Sequence, residues 1–181
     1  MAIAKVIEEA IRIGFSNAAP LKMDTLRFLP EVRDMCRADR CRSFGKSWMC
    51  PPGCGTLEEC AARAAGFLEG VIVQSVGELD DPFDVENMQM IEESHKKRFQ
   101  ELAISLSSGS FLVLALGAGA CRLCEVCSYP DAPCRFPGKA QSSMEANGLW
   151  VSDVCEKNGV PYNYGPNKMA FTSCILIAER E

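Results

Sequence analysis

Eight of the eleven cysteines in this chain fall into two blocks, Cys36, Cys41, Cys50 and Cys54, then Cys121, Cys124, Cys127 and Cys134. Four thiols near one loop make a poor core and a good metal site. The second block is the sharper pattern. Cys121, Cys124 and Cys127 stand three residues apart, and Cys134 follows just ahead of Arg135-Phe136-Pro137. A chain with a thiolate at every third residue curls around a compact object and presents sulfur to several corners of a cube. This is the opening of the bacterial ferredoxin pattern, in which a further cysteine near a proline completes the ligand set and can serve a different cluster. Structural zinc more often uses two separated C-x2-C pairs. The block therefore favours iron–sulfur, with zinc as the alternative. Ahead of it, Gly117-Ala118-Gly119-Ala120 supplies small residues that let backbone N–H groups approach cluster sulfurs.

The first block is looser, and its surroundings strengthen it. Pro51-Pro52-Gly53 follows Cys50 and stiffens the loop, while Trp48 either anchors a core or shields a site from water. Between Glu31 and Ser47 there are five basic residues (Arg33, Arg37, Arg40, Arg42, Lys46) against three acidic ones (Glu31, Asp34, Asp39). Guanidinium groups lower the cost of gathering thiolates. The same residues also suit a solvated surface.

Composition narrows the setting. A length of 181 residues is enough for one domain with a sizeable core, and 48% apolar with 24% charged residues is ordinary globular usage. A net charge of −5 makes nucleic acid and anionic membrane surfaces unexpected partners. The apolar run from Phe111 to Ala120 is about half the length of a spanning helix. The N-terminus carries Lys5, Glu8 and Glu9 and lacks a signal-peptide pattern. The expected location is cytoplasmic, where clustered cysteines are ligands or redox centres, and an odd cysteine count argues against a closed disulfide framework.

The elements that must position these loops are read from periodicity. Ile3, Val6, Ile7, Ala10 and Ile11 predict a helix over 2–13, ending at Gly14. A weak strand is expected at 21–29, stopped by Pro30. Thr56 and Glu59 form a capping-box pattern that opens an Ala-rich helix ending near Gly66. Strands are expected at 67–76, at 110–117 (covered on both faces) and at 169–178 (central). Asp81-Pro82 is read as opening a long helix over 82–107, with Val85, Met88, Phe99, Leu102 and Leu106 on its apolar stripe. Short helices are expected near 142–147 and from Ser152 to Gly159. The alternation predicts an α/β or α+β single domain over 1–181. Its mixed sheet has four to five strands with helices packed on it, and two Cys-rich metal loops lie at 32–55 and 117–139.

Several motifs together resemble a prokaryotic family of predicted metal-binding proteins, a cysteine-rich domain of unknown function. They are Val32-Arg33 with Cys36 and Cys41, Phe44-Gly45-Lys46-x-Trp48-x-Cys50-Pro51-Pro52, and Gly117-Ala118-Gly119-x-Cys121-x2-Cys124-x2-Cys127. The match continues through Pro133-Cys134-Arg135-x-Pro137 and Ser143-Met144-Glu145-Ala146-x-Gly148 and covers nearly the whole chain. It implies metal binding without implying a reaction. In the family pattern Cys36, Cys41 and Cys50 are the regular members, and the position of Cys54 varies. A cluster held by three thiolates would have an open iron able to act as a Lewis acid.

Other tempting residues have plainer readings. Cys60, Cys155 and Cys174 read as core cysteines. His95, the sole histidine, reads as a packed side chain, which leaves no basis for a catalytic triad or a Cys-His pair. Glu145, three residues after Ser142, reads as a helix-capping residue. Glu125 and Asp131 are expected to face solvent. Gly117-Ala118-Gly119 lacks the third glycine and helix of a dinucleotide loop. The sequence thus predicts one or two [4Fe–4S] clusters on an electron carrier or a subunit of an anaerobic redox system, with a redox protein as partner. Two alternatives are a zinc-stabilised interaction module and an enzyme with an open iron.

Overall fold

The apolar segments in the middle and at the end of the chain become strands of one mixed sheet. The computed structural model describes residues 2–180. Strand β1 is Asn17–Leu21, β2 is Glu69–Glu78, β3 is Phe111–Gly117, β4 is Ser142–Ser143 and β5 is Lys168–Glu179, in the order β1-β2-β5-β3-β4. All neighbours are antiparallel except β3 and β4. The last strand is therefore central, as its continuous apolar run predicts. With five α-helices packed on the sheet, the fold is α+β.

Strand alternation sends side chains to two cores. On β2, Val71 and Val73 join Ile175 and Ile177 of β5 on one face. Helix α1 (Ala2–Ile13) covers that face with Val6 and Ala10, and α4 (Val85–Ser108) covers it with Phe99, Leu102 and Leu106. Ile72, Cys174 and Leu176 point the other way. There they meet Ala64 of α3 (Leu57–Ala65), Val154 and Cys155 of α5 (Val151–Lys157), and Met144 and Leu149. Cys155 and Cys174 are core residues, as expected.

Several expectations need correction. The strand expected at 21–29 lies earlier, at Asn17–Leu21, and a 3-10 turn follows at Met23–Thr25. Pro30 does not stop a strand but starts helix α2 (Pro30–Arg37), because its fixed φ suits the first helical position. Cys36 therefore sits on a helix inside the stretch read as loop 32–55. The long helix starts at Val85 rather than 82, capped by Asp84, whose carboxylate accepts from the N–H of Asn87, and Val85 is exposed. Strand β3 is not covered on both faces along its length: Leu112 is exposed and only Leu116 and Gly117 are fully buried, and because β4 pairs with those two alone, the rest of that edge is open.

The capping box of Thr56 and Glu59 forms as read. In place of a helix at 142–147 there is the short β4 and a 3-10 turn, Glu145–Asn147. Glu145 does not cap it; the Ala146 N–H donates to Ser143 Oγ instead.

His95 is fully buried on the α4 side of the sheet. Its Nδ1 lies 3.0 Å from Ser75 Oγ and its Nε2 lies 2.7 Å from Ser173 Oγ, with Phe99 stacked on the ring. Burial, helped by Arg98 and Lys96, drives its pKa down to about 3. The ring is neutral when folded and charges when unfolded, so its contribution is complete above about pH 6.5 and is lost as pH falls toward 3. Replacing His95 with Gln should remove up to about 1.4 kcal/mol per pH unit from the acid slope of stability in that window. Denaturant melts at stepped pH test this, and equal slopes in both proteins would rule it out.

Candidate metal centre

The two cysteine blocks fold against each other. The first hangs from α2 and runs through tight turns into the Thr56 cap. The N–H of Gly45 donates to the Pro51 carbonyl at 2.8 Å, and the N–H of Cys54 donates to that of Cys50 at 3.0 Å. Asp39 closes the start of the loop by accepting from the Phe44 N–H at 2.9 Å and from Lys46 Nζ at 3.1 Å. The second block leaves the end of β3. Ser128 Oγ donates to the Pro133 carbonyl at 2.7 Å, and Arg135 Nη1 donates to that of Val126 at 2.7 Å.

Trp48 joins the two. Its Nε1 donates to the Ala132 carbonyl at 2.9 Å, and its ring meets Tyr129 edge-on with centroids 4.9 Å apart. It is a clamp between loops and also a wall of the second loop's cavity. Gly53 lies in the same contact, where a Cβ would collide with the Ser47 carbonyl and crowd the Tyr129 ring. Only glycine allows that approach.

All four cysteines of the second block line one cavity of about 210 Å³, walled on the other side by Arg42, Ser43, Ser47 and Trp48 of the first loop. Burial raises the Cys121 thiol, a donated Leu123 N–H opposes the rise, and Cys134, Cys124 and Cys127 add to it. Burial also acts on Cys127, but its thiol is lowered on balance by the N–H groups of Trp48 and Tyr129, the Ser47 hydroxyl and Arg135. Donors aimed at sulfur favour the thiolate, the form that binds metal. Glu125 and Asp131 are exposed, as expected.

The first block divides. Cys50 is buried and pushed up to about 11, by burial first and then by Cys41, Cys36 and Cys121, against a hydrogen bond from Ser47. Cys36 is raised by burial, Cys41 and Glu145, against Arg33. Cys41 thus acts on both Cys36 and Cys50, and Cys121 of the second block acts on Cys50 as well. Mutual repulsion of this kind is relieved when a cation takes the place of the protons.

Cys54 faces elsewhere. Its Sγ donates to the Ala146 carbonyl at 3.4 Å, and the neighbouring Cys60 side chain, followed by burial, raises the Cys54 thiol. Cys60 was read as a plain core residue, and it is buried. Yet its Sγ accepts from Arg63 Nη2 at 3.1 Å and from Arg33 Nη1 at 3.5 Å. The Cys54 side chain lowers it to about 6, against burial, with Arg63 and Arg33 assisting. The sequence carried one sign of this: Arg63 is three residues from Cys60 on a helix, so the two share a face.

Glu145 was also misread. Its backbone carbonyl lies 4.0 Å from Cys36 Sγ, and its Oε2 is buried with no hydrogen-bond partner. Burial raises its pKa. Its own backbone N–H and the Ser143 hydroxyl oppose that rise, and its charge in turn raises the Cys36 thiol. The remaining basic residues split: Arg37 pairs with Asp34 on the surface, while Arg33 is drawn inward, with Nη2 donating to the Gly55 carbonyl at 2.7 Å. Among the described residues, no three His, Cys, Asp or Glu side chains are grouped around the position of a single ion.

A family model described as a predicted metal-binding protein of unknown function, DUF2284, matches residues 19–177. The chain belongs to this family. It spans both cysteine blocks, the Trp48 clamp, the Glu145 turn and the central strand. No curated protein and no solved structure matches the chain. Among the described residues, no helix is long and apolar enough to cross a membrane.

The pairing of Cys54 with Cys60 has a measurable signature. In metal-free protein, Cys54→Ala should return the Cys60 titration toward the ordinary thiol value of about 8.5, and Arg63→Ala should move it in the same direction by less. Thiolate absorbance against pH reads this. An unchanged titration in both variants would show that neither neighbour holds the thiolate.

Proposed function

We propose that this family member is an iron–sulfur protein of the cytoplasm, a single domain that carries one or two [4Fe–4S] clusters and passes electrons to a redox protein. The observation that carries this reading is the cavity of about 210 Å³ lined by Cys121, Cys124, Cys127 and Cys134. One water needs only about 10–15 Å³ of such space, so the cavity suits a polynuclear group rather than a lone ion. The N–H groups aimed at Cys121 and Cys127 are the kind of contact that tunes a cluster's potential. When bound, the cluster supplies one-electron chemistry; the chain's own residues hold it, exclude water with Trp48 and supply positive charge from Arg135.

The first set, Cys36, Cys41 and Cys50, would hold the second cluster, with Cys54 or Glu145 at its remaining corner. The electrostatic influence of Cys121 on Cys50 supports a short path between the two. Val126 and Phe136 stand exposed near Arg135 at the rim of the second loop, a surface suited to a docking partner. The engagement of Cys54 with Cys60 favours a second reading, in which the first cluster has three thiolates and an open iron that binds substrate.

Iron, sulfide and zinc analysis of anaerobically prepared protein tests the proposal. Iron with matching sulfide at about four or eight per chain, a brown colour and a reduced-state EPR signal are expected. Zinc without sulfide would replace the proposal with a zinc-stabilised interaction module. Cys127→Ser should lose the second cluster's iron, and Cys54→Ala should keep the full iron count if the first site needs three thiolates. Trp48→Ala should release iron to a chelator about tenfold faster, since removing the clamp opens the second loop.

A further inference from the structure

A cavity of about 1080 Å³ is lined by neither complete cysteine block. It runs beside the open edge of β3, between Gln100, Ala103 and Ile104 of α4 and the Pro130–Pro133 turn. Its walls are mostly apolar, and Cys54 of the first loop and Arg63 of α3 both line it. Behind Cys54 lies Cys60, only 1% exposed and absent from the cavity wall.

The four groups are tied together. Arg63 Nη2 donates both to Cys60 Sγ at 3.1 Å and to the Cys54 carbonyl at 2.8 Å. Arg33 adds a bond to Cys60 Sγ at 3.5 Å, and Cys60 Sγ lies 3.8 Å from the Cys54 carbonyl. The Cys54 and Cys60 side chains are neighbours, each acting on the ionisation of the other. A packing cysteine needs no such company. Two guanidinium groups on one buried sulfur, beside a second cysteine that lines an open cavity, make an outer and an inner thiol.

We infer that Cys54 and Cys60 form a redox dithiol that reduces small organic disulfides entering this cavity, whatever metal the neighbouring loops hold. In the first step Cys60 Sγ, which accepts from both guanidinium groups, takes the proton of Cys54 as Cys54 Sγ attacks one sulfur of R–S–S–R; the S–S bond breaks, and the first thiol leaves as RS⁻ and is protonated by water. In the second, Cys60 Sγ attacks the Cys54 sulfur of the mixed disulfide and displaces the other thiol, which takes that proton and leaves as RSH. The pair ends as a Cys54–Cys60 disulfide. Two electrons and one proton pass from the protein to the substrate, and water supplies the second proton.

The arrangement predicts an asymmetry that a structural pair lacks. Under anaerobic conditions 2-hydroxyethyl disulfide is added to the purified full-length protein, and peptides are mapped by mass spectrometry. The wild type should give the Cys54–Cys60 disulfide with unchanged iron content. Cys60→Ser should trap a stable adduct on Cys54. Cys54→Ser should give no adduct at the buried Cys60. Arg63→Ala should accumulate the Cys54 adduct by slowing the second step about tenfold, the effect expected of one lost charged hydrogen bond. Circular dichroism confirms that each variant is folded. The inference is overturned if Cys60→Ser leaves Cys54 unmodified, if the wild type retains the adduct without closing, or if closure expels iron and so returns Cys54 to the ligand set. A protein that holds no iron but still closes this disulfide would sink the cluster proposal and leave the dithiol standing.

Discussion

The contact on which the rest of the site depends is that of Trp48 with the second cysteine loop. One indole reaches across to the Ala132 carbonyl and the Tyr129 ring, and the absence of a side chain at Gly53 lets the backbones close in behind it. Two loops that could each have been an isolated metal knuckle are thereby pressed into one corner. Cys50 then feels Cys121, and the Trp48 N–H points at Cys127. Crowded thiols repel one another as they ionise, so the corner favours a bound cation over free protons.

The scaffold under that corner is built to stay still. Strand β5 runs through the centre of the sheet, with β2 on one side and β3 on the other, and the second loop springs from the end of β3. Helix α2 rests on the 3-10 turn that contains Glu145, tied down by the Leu29 N–H to the Gly148 carbonyl at 2.8 Å. Gly148 has a positive φ of 85°, and a side chain there would strike Leu57 and the Leu29 backbone. This turn carries the Ala146 carbonyl under Cys54 and the Glu145 carbonyl under Cys36. The distant Ser143-Met144-Glu145-Ala146-x-Gly148 motif is therefore the floor of the first cysteine site.

The misreadings share a physical cause. Pro30 was taken to end a strand because proline breaks pairing, but the same fixed φ begins a helix, and Val32 packing inward decided for the helix. Glu145 sits at capping distance from Ser142, yet Ser143 takes the cap and leaves the carboxylate buried beside Cys36. Cys60 has the burial of a core cysteine, and nothing local reveals that Arg33, from another helix, also turns toward it. Each depends on a neighbour supplied from elsewhere in the fold. The capping box at Thr56, the central β5 and the neutral packing of His95 were legible because short-range spacing or a continuous apolar run settles them.

By itself the sequence determined the chemistry: soft donors in two blocks, one with a thiol at every third residue, and the strands and helices that carry them. It did so because spacing within a loop or a helical turn fixes which side chains are local neighbours. Only the tertiary structure decided how the thiols are shared out. Cys50 was set against Cys121, and Cys54 was turned from its own block toward Cys60 and a cavity. Those pairings join segments that meet only when α2, α3 and the end of β3 pack on one sheet, and no local periodicity encodes that meeting.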